Sequence, residues 1–155
     1  DEKRIRKLTA DILEIRPDVI LTHWKRDKIN PDHEVCAEAV FRAVTAAGMR
    51  GALPDTAPHF IPDVFLFETT IPHPEFNEFE IGTYVDIGDV IEQKIEAVKC
   101  FKAQPQLVDY YTRCAVQRGI QANDWSRGRR KITYAEGLKR YTPCLGDELP
   151  ISRLV

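Results

Sequence analysis

The side chains best suited to chemistry crowd into one stretch. From Thr22 to His33 the chain carries two histidines (His23, His33), two aspartates (Asp27, Asp32) and an asparagine (Asn30) within 12 residues. Imidazoles and carboxylates bind metal ions and move protons, and an amide donates a hydrogen bond to a developing oxyanion. Such a set suits attack by activated water on a small molecule. A plainer reading uses the same residues: Asn30 caps a helix, Asp32 complements its dipole, and His33 is an ordinary first-turn residue. Position and composition by themselves favour the plainer reading.

The flanking pattern supplies the elements that would position these groups. Ile5, Leu8, Ile12 and Ile15 repeat at 3–4–3 spacing, the stripe of an amphipathic helix. Pro17 stops it by excluding Arg16 from the α region. Asp18-Val-Ile-Leu-Thr22 then reads as a strand buried on both faces, ending at His23. Asn30-Pro31 opens a second helix, with Cys36, Val40, Ala43 and Ala47 as a narrow inner face and Gly48 at its end. Ligands in α/β sheets gather at the carboxyl ends of strands, and this strand-to-helix edge is such a place.

Further along, Asp63–Phe67 and Tyr84–Ile87 predict strands, and Asp89 caps a helix from Val90 carrying Ile91, Ile95, Val98 and Phe101. A helix from Pro105 is predicted to end near Arg118-Gly119. Residues 123–131 read as a basic loop, and a short helix is expected near Tyr134. Strands alternating with helices imply an α/β fold with a Rossmann-like parallel sheet flanked by helices and a helical C-terminal part, as a single partial domain over residues 1–155. The opening helix has no strand to cross over from, so further β-α units are expected upstream.

Composition narrows the partners. Twenty-two Lys and Arg against 24 Asp and Glu leave a net charge of −2, too small a field to recruit nucleic acid or a membrane. No apolar run spans a bilayer and no signal-peptide pattern opens the chain, so a cytoplasmic protein with a small-molecule substrate is expected, with self-association left open. Cys36, Cys100, Cys114 and Cys144 lack metal-site or disulfide-framework spacing and read as reduced packing residues.

Arg16-Pro-Asp-Val-Ile-Leu-Thr-His23, a short loop, Asn30-Pro-Asp-His33 and the Ala/Val-rich helix after it resemble the second signature of the PIG-L (LmbE-like) zinc-dependent deacetylases. Phe65–Glu68, Val85-Asp-Ile87, Arg118-Gly119 and Tyr134-Ala-Glu-Gly137 resemble later segments of the family, so the resemblance runs along nearly the whole chain. It implies a zinc ion (Zn2+) with His33 as a ligand, and Asn30 and Asp32 in catalytic positions. Asp32 would act behind the metal-bound imidazole or touch substrate. His23 either lines the pocket or is a satisfied histidine; Arg118 and Glu136 either face substrate or form a structural ion pair.

Two departures accompany the resemblance. The family's first signature, Ala-His-Pro-Asp-Asp, supplies the remaining metal ligands and a general base, and no segment here matches it; His73-Pro74 is followed by Glu75-Phe76. The chain alone is therefore expected to be inactive. Asn30 also stands where the family has a histidine, and an amide cannot shuttle a proton. The leading expectation is hydrolysis of an acyl amide such as an N-acetyl amino sugar. The alternative is a zinc-dependent hydratase of the 4-oxalomesaconate type, with the Arg127–Lys131 cluster as an anion contact or a solvated loop. A non-catalytic α/β module is the third reading.

Overall fold

The computed structural model describes residues 1–69 and 74–143; His73 and Cys144 lie outside them. Among the described residues the chain divides into two compact units, one formed by Asp1–Glu80 with residues 139–143, the other by Ile81–Leu138.

In the first unit, helix α1 (Glu2–Ile15) is capped by Asp1, whose carboxylate accepts from the Arg4 amide at 2.9 Å. Its buried side is Ile5, Thr9, Ile12 and Leu13; Ile15, expected in the stripe, points outward at 73% exposure. Ahead of Pro17, Arg16 takes the left-handed conformation (φ 52°) and donates to the Ile12 carbonyl at 2.8 Å. Strand β1 (Val19–His23) pairs in parallel with β2 (Asp63–Phe67), from Val19 opposite Asp63 to His23 opposite Phe67. The expectation that both strands share one sheet holds.

Burial on both faces of β1 does not hold. Thr22 is buried, whereas Val19 and Leu21 on the opposite face are 50% and 58% exposed. Between the strands in sequence comes α2 (Pro31–Ala47), whose closest-packed positions are Ala37, Ala43 and Ala47, all 0% exposed. Cys36, expected on this face, is exposed, as is Cys100; neither these two nor the half-buried Cys114 forms a disulfide. Small residues let α2 approach α1 and the sheet. There Ile5, Ile12, Leu13, Ile61 and Val64 close the core with Ala43 and Ala47, each large aliphatic contributing about 1.5–3 kcal/mol.

The second unit contains β3 (Thr83–Asp86), a 3₁₀ turn over Gly88–Val90, α3 (Ile91–Lys99), α4 (Leu107–Ser126) and the start of β4 (Ala135–Arg140). Asp89 sits within that turn rather than capping α3. The predicted end of the next helix also fails, because its glycine serves close approach. Gly119 does not end α4: the helix runs through it, and a Cβ there would lie 2.5 Å from the Thr133 carbonyl oxygen. The actual end is Arg127 (φ 52°) with Gly128 (φ 72°), whose amide reaches the Asn123 carbonyl at 3.1 Å.

The expected helix near Tyr134 is strand β4, antiparallel to β3 with Val85 opposite Glu136 and Tyr84 opposite Gly137. Gly137 leaves room for Ile81, whose Cδ1 would come within 2.6 Å of a Cβ. The sheet order is β1-β2-β4-β3, so the all-parallel expectation becomes a mixed sheet. No described helix is long and apolar enough to cross a membrane.

Candidate functional site

The carboxyl end of β1 and the first turn of α2 bring His23 and His33 into contact. Their rings stack with centroids 4.2 Å apart and planes 15° from parallel, and Phe67 at the end of β2 meets His23 edge-on at 4.6 Å. The parallel register sets this up by placing His23 beside Phe67. Pro31 at the first position of α2 leaves His33 in the first turn.

Asp27, in the connecting loop, organises the pair. It is 2% exposed. Oδ1 accepts from the Ile29 and Asn30 amides at 3.0 and 2.9 Å, and Oδ2 accepts from His33 Nδ1 at 2.8 Å. The Asn30 side chain adds a longer donation to Oδ2, 3.4 Å, and the Asp27 amide donates to Glu34 Oε1 at 2.7 Å. Burial opposes a charge on Asp27, but the Asn30 and Ile29 amides and then the His33 and Asn30 side chains outweigh it, holding the carboxyl below its ordinary value.

A carboxylate can only accept, so in the neutral imidazole this contact assigns the His33 proton to Nδ1 and leaves the lone pair on Nε2. His23 is shifted the other way from a typical ion-paired histidine. Burial, followed by the neighbouring His33, lowers its pKa, against the smaller opposing influence of Asp32 and Asp27.

The other expected site residues are placed as follows. Asn30 occupies the cap position of α2, but its side chain makes no capping hydrogen bond and turns to Asp27. Asp32 is exposed at the surface of the first turn. Arg118 and Glu136 belong to the second unit. Arg118 is 5% exposed and donates to Gln121 at 2.8 Å, while Glu136 takes Lys94 as its ion partner at 2.5 Å. In the basic segment, Arg130 faces Asp86 at 3.9 Å. Trp24 is buried against Phe79, whereas Trp125 is 79% exposed. His59 donates from Nε2 to the Pro17 carbonyl at 2.8 Å.

Sequence reasoning counts Asp27 among the polar residues but gives it no role. The available signal is its spacing ahead of Asn30, the pattern of an Asx-type loop closure onto amides two and three residues on.

The donor chemistry suits a metal only in part. His33 offers one well-oriented imidazole nitrogen, backed by a carboxylate as metal-binding histidines commonly are. A catalytic zinc takes about three protein ligands, and the described residues contain no group of three or more His, Cys, Asp or Glu able to hold a metal ion. They do not form a metal site by themselves.

No family model matches the chain. It is 34% identical over 152 residues to a 4-oxalmesaconate hydratase of Pseudomonas putida KT2440, a match covering 96% of this chain and 58% of that protein. Among solved structures it is similar to GalB, the 4-carboxy-2-hydroxymuconate hydratase of the same organism. There the TM-score is 0.89 at 32% identity, over 97% of this chain and 62% of that one. It is also similar to the conserved protein TT1542 of Thermus thermophilus, with TM-score 0.71, 25% identity, and 97% and 63% covered. The chain thus spans less than two thirds of the length of each. The two relatives with a stated activity are hydratases; the expected C–N hydrolase activity has no counterpart in them.

Proposed function

We propose that this chain is part of a hydratase that adds water across a carbon–carbon double bond of a small, unsaturated, carboxylate-rich oxo acid. The observation that carries this reading is the likeness to 4-oxalmesaconate hydratase along 96% of the chain, together with the GalB structural match.

The local chemistry supports the same choice over amide hydrolysis. Cleaving an amide requires a proton for the departing amine, and the PIG-L pattern has a histidine where this chain has Asn30. The Asn30 amide is turned to Asp27 and cannot relay a proton. Hydration has no leaving group: it needs a proton removed from water and one delivered to carbon. His23, stacked on His33, provides an imidazole able to hold or pass a proton, and Asp27 fixes His33 so that it presents Nε2. Zinc is the cofactor the PIG-L resemblance implies. We assign His33 Nε2 as its one ligand among the described residues; when bound, zinc would lower the pKa of a water molecule.

Hydration destroys the conjugation of such a substrate, so its near-ultraviolet absorbance falls as the reaction proceeds. The test is to incubate the full-length polypeptide carrying this chain with 4-oxalomesaconate, and separately with an N-acetyl amino sugar. Loss of absorbance with no acetate release is expected, and His33→Ala should abolish it. Acetate release without hydration would return the protein to the amide hydrolases.

A further inference from the structure

We propose that Asn77 is a positioning residue, whose buried amide holds the β1–α2 loop in the shape that lets Asp27 aim the His33 imidazole. The proposal rests on the reading of His33 as the working imidazole.

Asn77 closes a 3₁₀ turn over Pro74–Asn77 and is 0% exposed. It grips the loop at two points that bracket Asp27. Its main-chain carbonyl accepts from Trp24 Nε1 at 2.7 Å, and its Oδ1 accepts from the Lys28 amide at 3.0 Å. The remaining side-chain donor, Nδ2, gives to Thr69 Oγ1 at 2.9 Å, which sets which way the amide faces. Thr69 is itself 4% exposed.

With Trp24 and Lys28 pinned to one residue, the backbone between them is fixed. Asp27 can then cap the Ile29 and Asn30 amides with one oxygen while the other meets His33. Without the Lys28 contact, a part-buried backbone donor and the buried Asn77 Oδ1 would both lack this partner, and the loop would move to satisfy them.

The rim of the loop adds ion pairs from Arg26 and Lys28 to Glu78 and a donation from Lys28 Nζ to the Phe76 carbonyl at 2.9 Å. Those charges are half exposed, where such pairs contribute little. Glu78 lies in the left-handed region (φ 59°), unfavourable for glutamate, a conformation that persists only when its surroundings impose it. The buried amide, not the rim, is therefore the element whose removal should be felt at His33.

The test reads the His33 tautomer in the 155-residue chain, labelled with ¹⁵N-histidine, by two-bond proton–nitrogen correlation at a pH where the imidazoles are neutral. The wild-type chain should show His33 as a single Nδ1–H tautomer. In Asn77→Ala the shifts of its two nitrogens should converge toward a tautomer average. Asn77→Asp keeps an acceptor for the Lys28 amide and one for the Thr69 hydroxyl, and should restore the wild-type pattern. If circular dichroism shows Asn77→Ala unfolded, Thr69→Val takes its place under the same criterion.

A purely structural role would lower the melting temperature and leave the tautomer of the folded protein unchanged, and that result overturns the proposal. So does tautomer averaging in the wild type. Because neither substrate nor metal takes part in the measurement, a failed hydratase assay leaves this inference standing, and an unchanged tautomer leaves the hydratase reading standing.

Discussion

Asp27 accepts four hydrogen bonds while almost wholly shielded from water, from two backbone amides, the Asn30 side chain and His33. That environment makes its charge part of the fold. Asp27→Asn would turn an NH2 group toward one of those donors, and we expect a loss of about 1–3 kcal/mol of stability at neutral pH. The sign of the pH dependence follows from the depressed carboxyl. Its contribution is fully present above the unfolded-state value of about 3.9 and is lost as pH falls through the lower folded-state value. Urea unfolding of wild type and Asp27→Asn at a series of pH values should therefore show a gap that narrows below pH ~4. A gap of constant size would show that Asp27 does not act as a charged acceptor. His23 acts in a separate window. Its pKa is lowered in the folded chain, so the unfolded chain binds the proton first and stability declines as pH drops below about 6.5.

Gly119 and Gly137 look alike in sequence and differ in what surrounds them. A Cβ on Gly119 would collide with the Thr133 carbonyl, backbone held by Asn123, which bonds both the amide and the carbonyl of Ile132 at 2.8 and 2.7 Å. A Cβ on Gly137 meets only the Ile81 side chain, which can rotate. Gly119→Ala should therefore cost about 1–3 kcal/mol, even though alanine is the better helix former by about 1 kcal/mol. Gly137→Ala should cost less, as read from urea midpoints; a neutral or stabilising Gly119→Ala would refute the close-approach account. The same pair marks where the sequence is legible. β1, α2 and β2 announce themselves by apolar runs, Pro31 and alternation. A glycine stopping a helix and a glycine admitting a neighbour share one letter, however, so spacing alone misplaces the end of α4. β4 escapes the pattern because Glu136, Lys139 and Arg140 dilute its strand character. The site divides likewise: His23 and His33 are visible by spacing, while Trp24 meets Asn77 from 53 residues away through a loop no local pattern encodes.

At the scale of the whole chain, the open edge of the first unit bears on behaviour in solution. Among the described residues β1 is an edge strand. Its outward face presents Val19 and Leu21, while the other face packs through Ile20 and Thr22 toward the α1–α2 layer. An edge with unpaired amides and carbonyls beside exposed aliphatics is a template for pairing with another chain. The fold of this chain is shared across 97% of its length with relatives that are themselves longer. The 155-residue chain in isolation should thus associate with itself through β1. Leu21→Lys puts a charge on the open face without touching the packed one, and an edge lysine disfavours strand addition. Sedimentation velocity across a wide concentration range should show wild-type association that Leu21→Lys suppresses, with unchanged circular dichroism. Thr22→Lys, on the packed face, should instead unfold the chain, because it places an unpaired charge in a buried position. If Leu21→Lys leaves the association unchanged, the copies meet elsewhere, and the exposed face of β1 has no part in it.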